Sequence, residues 1–284
     1  MIDKIIPLKI KRPSNFDLYQ IFDCGQSFRI LPDASAPNLF KGVAMGKVIK
    51  VSQDEHDLTF YGVTQEEYDT VWHSYFSIDT DYDALRNSIY LLRPDDSVLK
   101  EAMEYGKGIR LLRQEKWETL CSFIISQNNN IPRIRSLIEA LSKELGDSID
   151  FEESTYYSFP TPKVIREAGE AKLRELKTGF RAPYIIDAAT KVDGGEIDLE
   201  FLDTLSTNEL LNELMKIKGV GMKVASCVAL FGYGRLDAFP IDVWVKRVFD
   251  HYYPSGFDFK SLGDKAGLVQ QYLFYYERYK NIVL

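Results

Sequence analysis

Only three cysteines occur in this 284-residue chain, Cys24, Cys121 and Cys227, far apart and without a CxxC pair. That scarcity argues against a disulfide framework, a structural zinc site and an iron–sulfur centre, and makes reduced thiols the default. Long apolar runs are missing as well, so no membrane-spanning helix and no membrane partner are expected. The start, MIDKIIPLKIKRP, has neither an extended apolar region nor a small-residue cleavage site; a cytosolic protein is expected, nucleoid-associated if the source is prokaryotic. Positive charge is in deficit too. Lys and Arg number 35 against 42 Asp and Glu, a net charge of −7, which taken alone counts against a nucleic-acid partner.

The deficit is local. Residues 51–104 hold thirteen acids and three bases, whereas residues 107–135 carry six bases against two acids and residues 172–184 four against one. Net charge therefore conceals a basic remainder, although solvated helix faces account for many such runs. A hydrophobic content of 45% supplies a core, and the length suits one large or two modest domains. The segments LFKGVAMGKVIKVSQ and LTFYGV alternate β-branched and aromatic residues with polar ones between glycine breaks, the pattern of antiparallel strands. From about Tyr68 the apolar spacing turns to three and four, and the rest of the chain reads as mostly helix, including one long run over residues 117–145. The fold class expected is α+β: an N-terminal antiparallel sheet with flanking helices over residues 1–105, then a larger helical domain over residues 106–284.

Chemistry concentrates between residues 206 and 250. Ser206 and Glu209 form an S-x-x-E capping box at the head of an apolar-periodic run that ends at Ile217. Lys218, Gly219, Val220 and Gly221 follow, and a second helix is expected from Met222 to about Phe231, giving a helix-hairpin-helix over residues 206–231. Two glycines flanking a small apolar residue permit a tight turn with exposed backbone N–H groups beside a positive helix terminus. Such a cradle suits phosphate and holds duplex DNA without reading its sequence, while the plainer reading is a tight turn between helices. Lys223 falls in the first turn of the second helix, where a cation opposes the helix dipole, and Cys227 lies four residues on along the same face. A purely structural lysine is better placed elsewhere, so Lys223 is a candidate amine nucleophile. In Phe239-Pro240-Ile241-Asp242-Val243 a carboxylate precedes another helix, where it can serve as N-cap, catalytic acid or both.

Taken together, KIKGVGMKVASCVALF followed by AFPIDVWVKRVF resembles the helix-hairpin-helix, Gly/Pro-rich loop and Asp signature of the base-excision DNA glycosylases. The lysine at position 223 resembles the bifunctional glycosylase/lyases of that superfamily, and the VASC segment points to the 8-oxoguanine DNA glycosylases. Further blocks resemble the same family in order along the chain. CGQSFR implies that the Gly25 carbonyl accepts from N7–H of 8-oxoguanine, a donor where guanine has an acceptor. SQNNNIPRI implies that Asn128 fills the gap left by the extruded base and that Arg133 reads the orphaned cytosine. TGFRAPYI implies that Phe180 wedges the duplex and that Arg181 also contacts the cytosine, while AGLVQQYLF implies that Gln270 meets the base's Watson–Crick edge and Phe274 stacks on it. Three consecutive asparagines, poor helix and strand formers, are assigned to function rather than structure.

The spacing of Gln270 and Phe274, like that of Lys223 and Cys227, puts each pair on one helix face, so that Phe274 and Cys227 can sandwich a base. Two departures stand out: Phe180 replaces a tyrosine common in eukaryotic members, and Trp244 stands where those members have a phosphate-contacting histidine. The resemblance implies excision of 8-oxoguanine, preferably opposite cytosine, through a Lys223 Schiff base followed by β-elimination, with Asp242 stabilising positive charge on the sugar. It implies no metal or organic cofactor, double-stranded DNA containing oxidised guanine as partner, and a monomer. Two other readings remain at this stage: a glycosylase for alkylated or other damaged bases using Asp242 and water, and a non-catalytic DNA-binding module.

Overall fold

The computed structural model describes residues 6–280; residues 1–5, part of the N-terminal stretch read above, and residues 281–284 lie outside the described residues. Strands β1 (Leu8–Lys11), β2 (Ile30–Pro32), β3 (Leu39–Ala44), β4 (Lys47–Gln53) and β5 (Asp57–Phe60) form one antiparallel sheet in the order β1-β5-β4-β3-β2. The β3–β4 connection consists of Met45 and Gly46, with φ of 54° and 68°. Positive φ at both positions gives a two-residue turn the twist that matches its strands, and glycine supplies one of them without strain. Helix α1 (Leu18–Asp23), capped by Asp17, lies between β1 and β2; after the sheet come α2 (Gln65–Glu67), a π-helical turn at Tyr68–Trp72, and α3 (His73–Tyr75). Phe16, Phe22, Phe40, Phe60, Trp72 and Phe76 form the apolar core of this layer. Each large side chain removed from water there contributes about 1.5–3 kcal/mol.

A second, larger core gathers the helices that follow. Helices α4 (Tyr82–Leu92) and α5 (Ser97–Tyr105) contribute to it together with Cys24 and Phe28 from the N-terminal segment. Helix α6 (Lys116–Ile125) is buried along most of its length, whereas α7 (Ile131–Leu145) is amphipathic. The single long run expected over residues 117–145 is thus two helices. Asn128 takes a φ of +47°, Asn129 Nδ2 donates to the Ile125 carbonyl at the end of α6, and Asn130 Oδ1 accepts from the Arg133 amide as the N-cap of α7. Two of the three asparagines therefore have structural duties that the sequence reading did not assign to them.

Also beyond the expected mostly helical remainder is a hairpin, β6 (Ser148–Phe151) and β7 (Ser154–Tyr157). It docks on the first sheet, with Glu152 held by Lys41 at 3.0 Å and Lys50 at 2.6 Å. Helix α8 (Pro162–Glu175), bent at Gly169, runs beside α9 (Ala182–Asp193). The helix-hairpin-helix forms as expected: α10 (Thr207–Leu214) starts in the Ser206–Glu209 capping box, and α11 (Met222–Tyr233) starts after Gly221 and stops at Gly234 in the left-handed region. Helix α11 packs on α6, with Phe123 and Phe231 stacked at 5.3 Å. Helices α12 (Val243–Tyr252) and α13 (Ala266–Tyr279) close the core.

Candidate functional site

A cleft of about 1010 Å³ opens where α6, α11, α12 and α13 meet the N-terminal segment. Lys223, Cys227, Asp242, Gly25, Gln270, Phe274, Asn128, Phe180 and Gly221 all line it. Nine residues dispersed over nearly the whole sequence thus converge on one cavity. Lys218, Gly219, Val220, Arg133 and Arg181 do not line it: the first three belong to the hairpin, Arg133 is exposed near the start of α7, and Arg181 is buried behind the asparagine loop.

Lys223 Nζ bonds Ser126 Oγ at 3.2 Å and stands 5.6 Å from the centre of the Phe123 ring, half-buried at the head of α11. Ser126 is a partner that no sequence pattern marked. Asp242 caps α12, its Oδ1 accepting from the Trp244 amide at 3.0 Å and the Val245 amide at 2.9 Å. Burial raises the Asp242 carboxyl above its ordinary range; the Val245 amide and the Lys223 charge pull it partly back. Burial likewise pushes the Cys227 thiol up to about 11 against the opposing pull of Lys223, so the sulfur is a neutral, polarisable wall at physiological pH.

Across the cleft, Gly25 has a φ of +77°, and a Cβ built there would approach the Phe274 ring to 3.2 Å. The glycine accordingly permits both the backbone turn and the close approach of the aromatic face. Asp23 anchors this segment. Its carboxylate bonds Arg135 of α7 at 3.3 Å and the Tyr279 hydroxyl, and its carbonyl accepts from Arg278 at 3.2 Å. Trp244 lines the cleft with the Arg247 guanidinium 4.6 Å from its ring, in the place where the resemblance led one to look for histidine.

On the rim, Phe180 is 48% exposed and lies 6.2 Å, edge-on, from Tyr184. The Arg181 guanidinium stacks 4.3 Å from Phe180 and spends its donors on the Gln127 carbonyl at 3.0 Å and the Asn128 carbonyl at 2.9 Å. Desolvation, and then the neighbouring Arg133 charge, lower its pKa. Arg181 therefore fastens the asparagine loop, whereas the Arg133 side chain forms no ion pair or hydrogen bond among the described residues.

The hairpin is narrower as an anion cradle than its four residues suggested. The Lys218 amide donates to Asp187 Oδ2 at 2.7 Å and the Val220 amide to the Ile217 carbonyl at 3.0 Å, while Val220's side chain is buried. The amides of Gly219, Gly221 and Met222 have no acceptor among the described residues. Gly219 has a φ of +78°, and a Cβ there would lie 2.4 Å from the Tyr184 ring. Gly219→Ala should lower stability by about 2 kcal/mol or more, because a strained backbone and a clash add. Urea denaturation measures this, with Gly221→Ala, which has open space around its Cβ, showing the smaller loss.

This cleft between a helix-hairpin-helix and a sheet-bearing N-terminal part defines a class. Residues 121–258 match the model of the HhH-GPD superfamily of base-excision DNA repair proteins, and residues 9–120 match that of the 8-oxoguanine DNA glycosylase N-terminal domain. The chain is 34% identical over 258 residues to an N-glycosylase/DNA lyase of Saccharomyces cerevisiae, covering 83% of this chain and 68% of that protein. Among solved structures it resembles the Clostridium acetobutylicum 8-oxoguanine glycosylase/lyase in complex with double-stranded DNA containing cytosine opposite 8-oxoguanine. That likeness has a TM-score of 0.88 at 35% identity, over 99% of this chain and 100% of the other. A structure of MBOgg1 in complex with a low-affinity DNA ligand gives a TM-score of 0.90 at 39% identity, over 97% and 96% of the two chains. The chain belongs to the 8-oxoguanine DNA glycosylase family.

Proposed function

We propose that this protein is a bifunctional DNA glycosylase that excises 8-oxoguanine from duplex DNA and then nicks the strand at the resulting abasic site. The observation that carries the reading is the convergence of Lys223, Asp242, Cys227, Gly25, Gln270 and Phe274 on one cleft beside the hairpin. The Gly219 and Gly221 amides hold the phosphate backbone, and the lesion leaves the stack at a cost of a few kcal/mol. Phe180 and Asn128 fill the vacated space, and the exposed Arg133 guanidinium reads the opposite cytosine while Arg181 keeps the asparagine loop in place. The base enters between Phe274 and Cys227, with the Gly25 carbonyl accepting from N7–H.

Lys223, as the free amine, then attacks C1′ of the deoxyribose as the C1′–N9 bond breaks; the base departs with the electron pair of that bond and takes up the proton that the new C1′-bound ammonium releases. Asp242, ionised, stabilises the positive charge that develops on the sugar. The nitrogen lone pair then breaks the C1′–O4′ bond, O4′ takes up a proton, and the opened sugar is left as a protonated Schiff base; loss of a C2′ proton then expels the 3′ phosphate with the C3′–O electron pair. We place the protein in the cytosol or with the nucleoid, in keeping with three buried free thiols and with the lack of a described helix long and apolar enough to cross a membrane.

The test is a labelled duplex with 8-oxoguanine opposite cytosine, incubated with and without borohydride beside an undamaged control. A lesion-dependent nick and a covalent protein–DNA band support the reading. Excision without trapping would transfer the reaction to Asp242 and water.

A further inference from the structure

We infer that Gln271 is a positioning residue that fixes which way the Gln270 carboxamide faces and thereby selects guanine-type over adenine-type edges. The inference rests on the lesion pocket proposed above. Consecutive helical residues point about 100° apart and ordinarily do not meet, since neighbours on a helix surface are three and four apart. Here Gln270 and Gln271 both line the cleft, both are 3% exposed, and Gln271 Nε2 donates to Gln270 Oε1 at 3.0 Å. Gln271 Oε1 is buried without a partner among the described residues, so this side chain is held at the cost of an unsatisfied acceptor.

A glutamine amide can present either its oxygen or its nitrogen to a base edge. With Gln270 Oε1 engaged by Gln271, the Gln270 Nε2 group, which has no partner among the described residues, is left to donate to an acceptor in the cleft. Oε1 retains a second lone pair. That arrangement matches 8-oxoguanine, whose Watson–Crick edge offers the O6 acceptor next to the N1–H donor. It opposes 8-oxoadenine, whose N6 amino donor and N1 acceptor are the reverse. Without the clamp the carboxamide turns over freely, and with an acceptor-only neighbour it turns over by preference, bringing Nε2 toward residue 271 and Oε1 toward the base.

The experiment compares single-turnover excision of 8-oxoguanine and 8-oxoadenine, each opposite cytosine, by the wild-type protein, Gln271→Leu and Gln271→Glu. The expected result is that the preference for 8-oxoguanine falls about tenfold in Gln271→Leu, on the scale of one hydrogen bond, and further in Gln271→Glu. An equal slowing of both substrates, or an unchanged ratio, would overturn the inference and leave Gln271 a packing residue. Gln271→Leu alone decides the matter if the glutamate variant does not fold. Failure of the wild-type protein to excise 8-oxoguanine would instead sink the proposed function, so the two ideas fail by different results.

Discussion

Lys223→Gln should bind a lesion duplex with near wild-type affinity, yet lose base excision, strand cleavage and borohydride trapping together, with a fall in single-turnover rate on the order of 10⁴-fold. Glutamine keeps most of the side chain's length and its ability to bond Ser126 Oγ, but its amide nitrogen has no nucleophilic lone pair. Removing the attacking atom of a covalent mechanism costs far more than removing a group that merely orients it. Binding should be spared because the Gly219 and Gly221 backbone and the Phe180 rim, proposed to hold the duplex, are untouched. Residual excision near the wild-type rate would show that water attacks instead and would end the lysine's role.

Asp242→Asn is the second large effect. Asparagine is as good an N-cap as aspartate, so α12 keeps its start and only the charge is lost. Loss of one preorganised charge facing a developing cation should slow excision by about 10²–10³-fold. The pH profile supplies a sharper sign. Because burial raises the Asp242 carboxyl, the acid side of the wild-type rate profile should lie above the ordinary carboxylate range near 3.9, with activity falling as pH drops through the raised value. Asp242→Asn should flatten that limb. The same shift has an opposite consequence for folding: the folded protein holds this proton more tightly than the unfolded chain, so stability falls as pH rises through the raised value. At neutral pH the ionised carboxylate is thus a burden, and the asparagine variant should melt no lower than wild type by calorimetry. A variant that is both inactive and less stable would point to a structural rather than an electrostatic role.

Much of this arrangement is legible in the sequence because local chemistry dictates it. The Ser206–Glu209 box, the Gly219 and Gly221 turn, and the alternation in residues 39–53 each name an element whose physics is complete within a few residues. Strands β6 and β7 were not legible: each is four residues long, half-exposed, and held by contacts such as Glu152 with Lys41 and Lys50 across about a hundred residues. The break at residues 126–130 was obscured because apolar spacing resumes in phase on its far side, and the caps that enforce it sit in the asparagines themselves. At the site, residue types singled out Lys223 and Asp242 as candidates, while their neighbours went unmarked. Ser126 beside Lys223, Asp23 beneath Gly25 and the carbonyls that occupy Arg181 become neighbours only through tertiary packing. Arg181 shows the difference well: its place in a motif suggested a base contact, while its burial and its bonds to the Gln127 and Asn128 carbonyls had no sequence signal.

The Tyr184 ring has Gly219 against one part of it and Phe180 edge-on to another. The proposed grip and the proposed wedge thus share one neighbour, which sets the distance between them. With the hairpin and Phe180 in the roles proposed above, a duplex seated on the one would meet the ring of the other at a fixed step along its axis. On those proposed roles, replacing Tyr184 would alter that spacing and shift where along the strand the stack is opened, without touching the Lys223 and Asp242 chemistry.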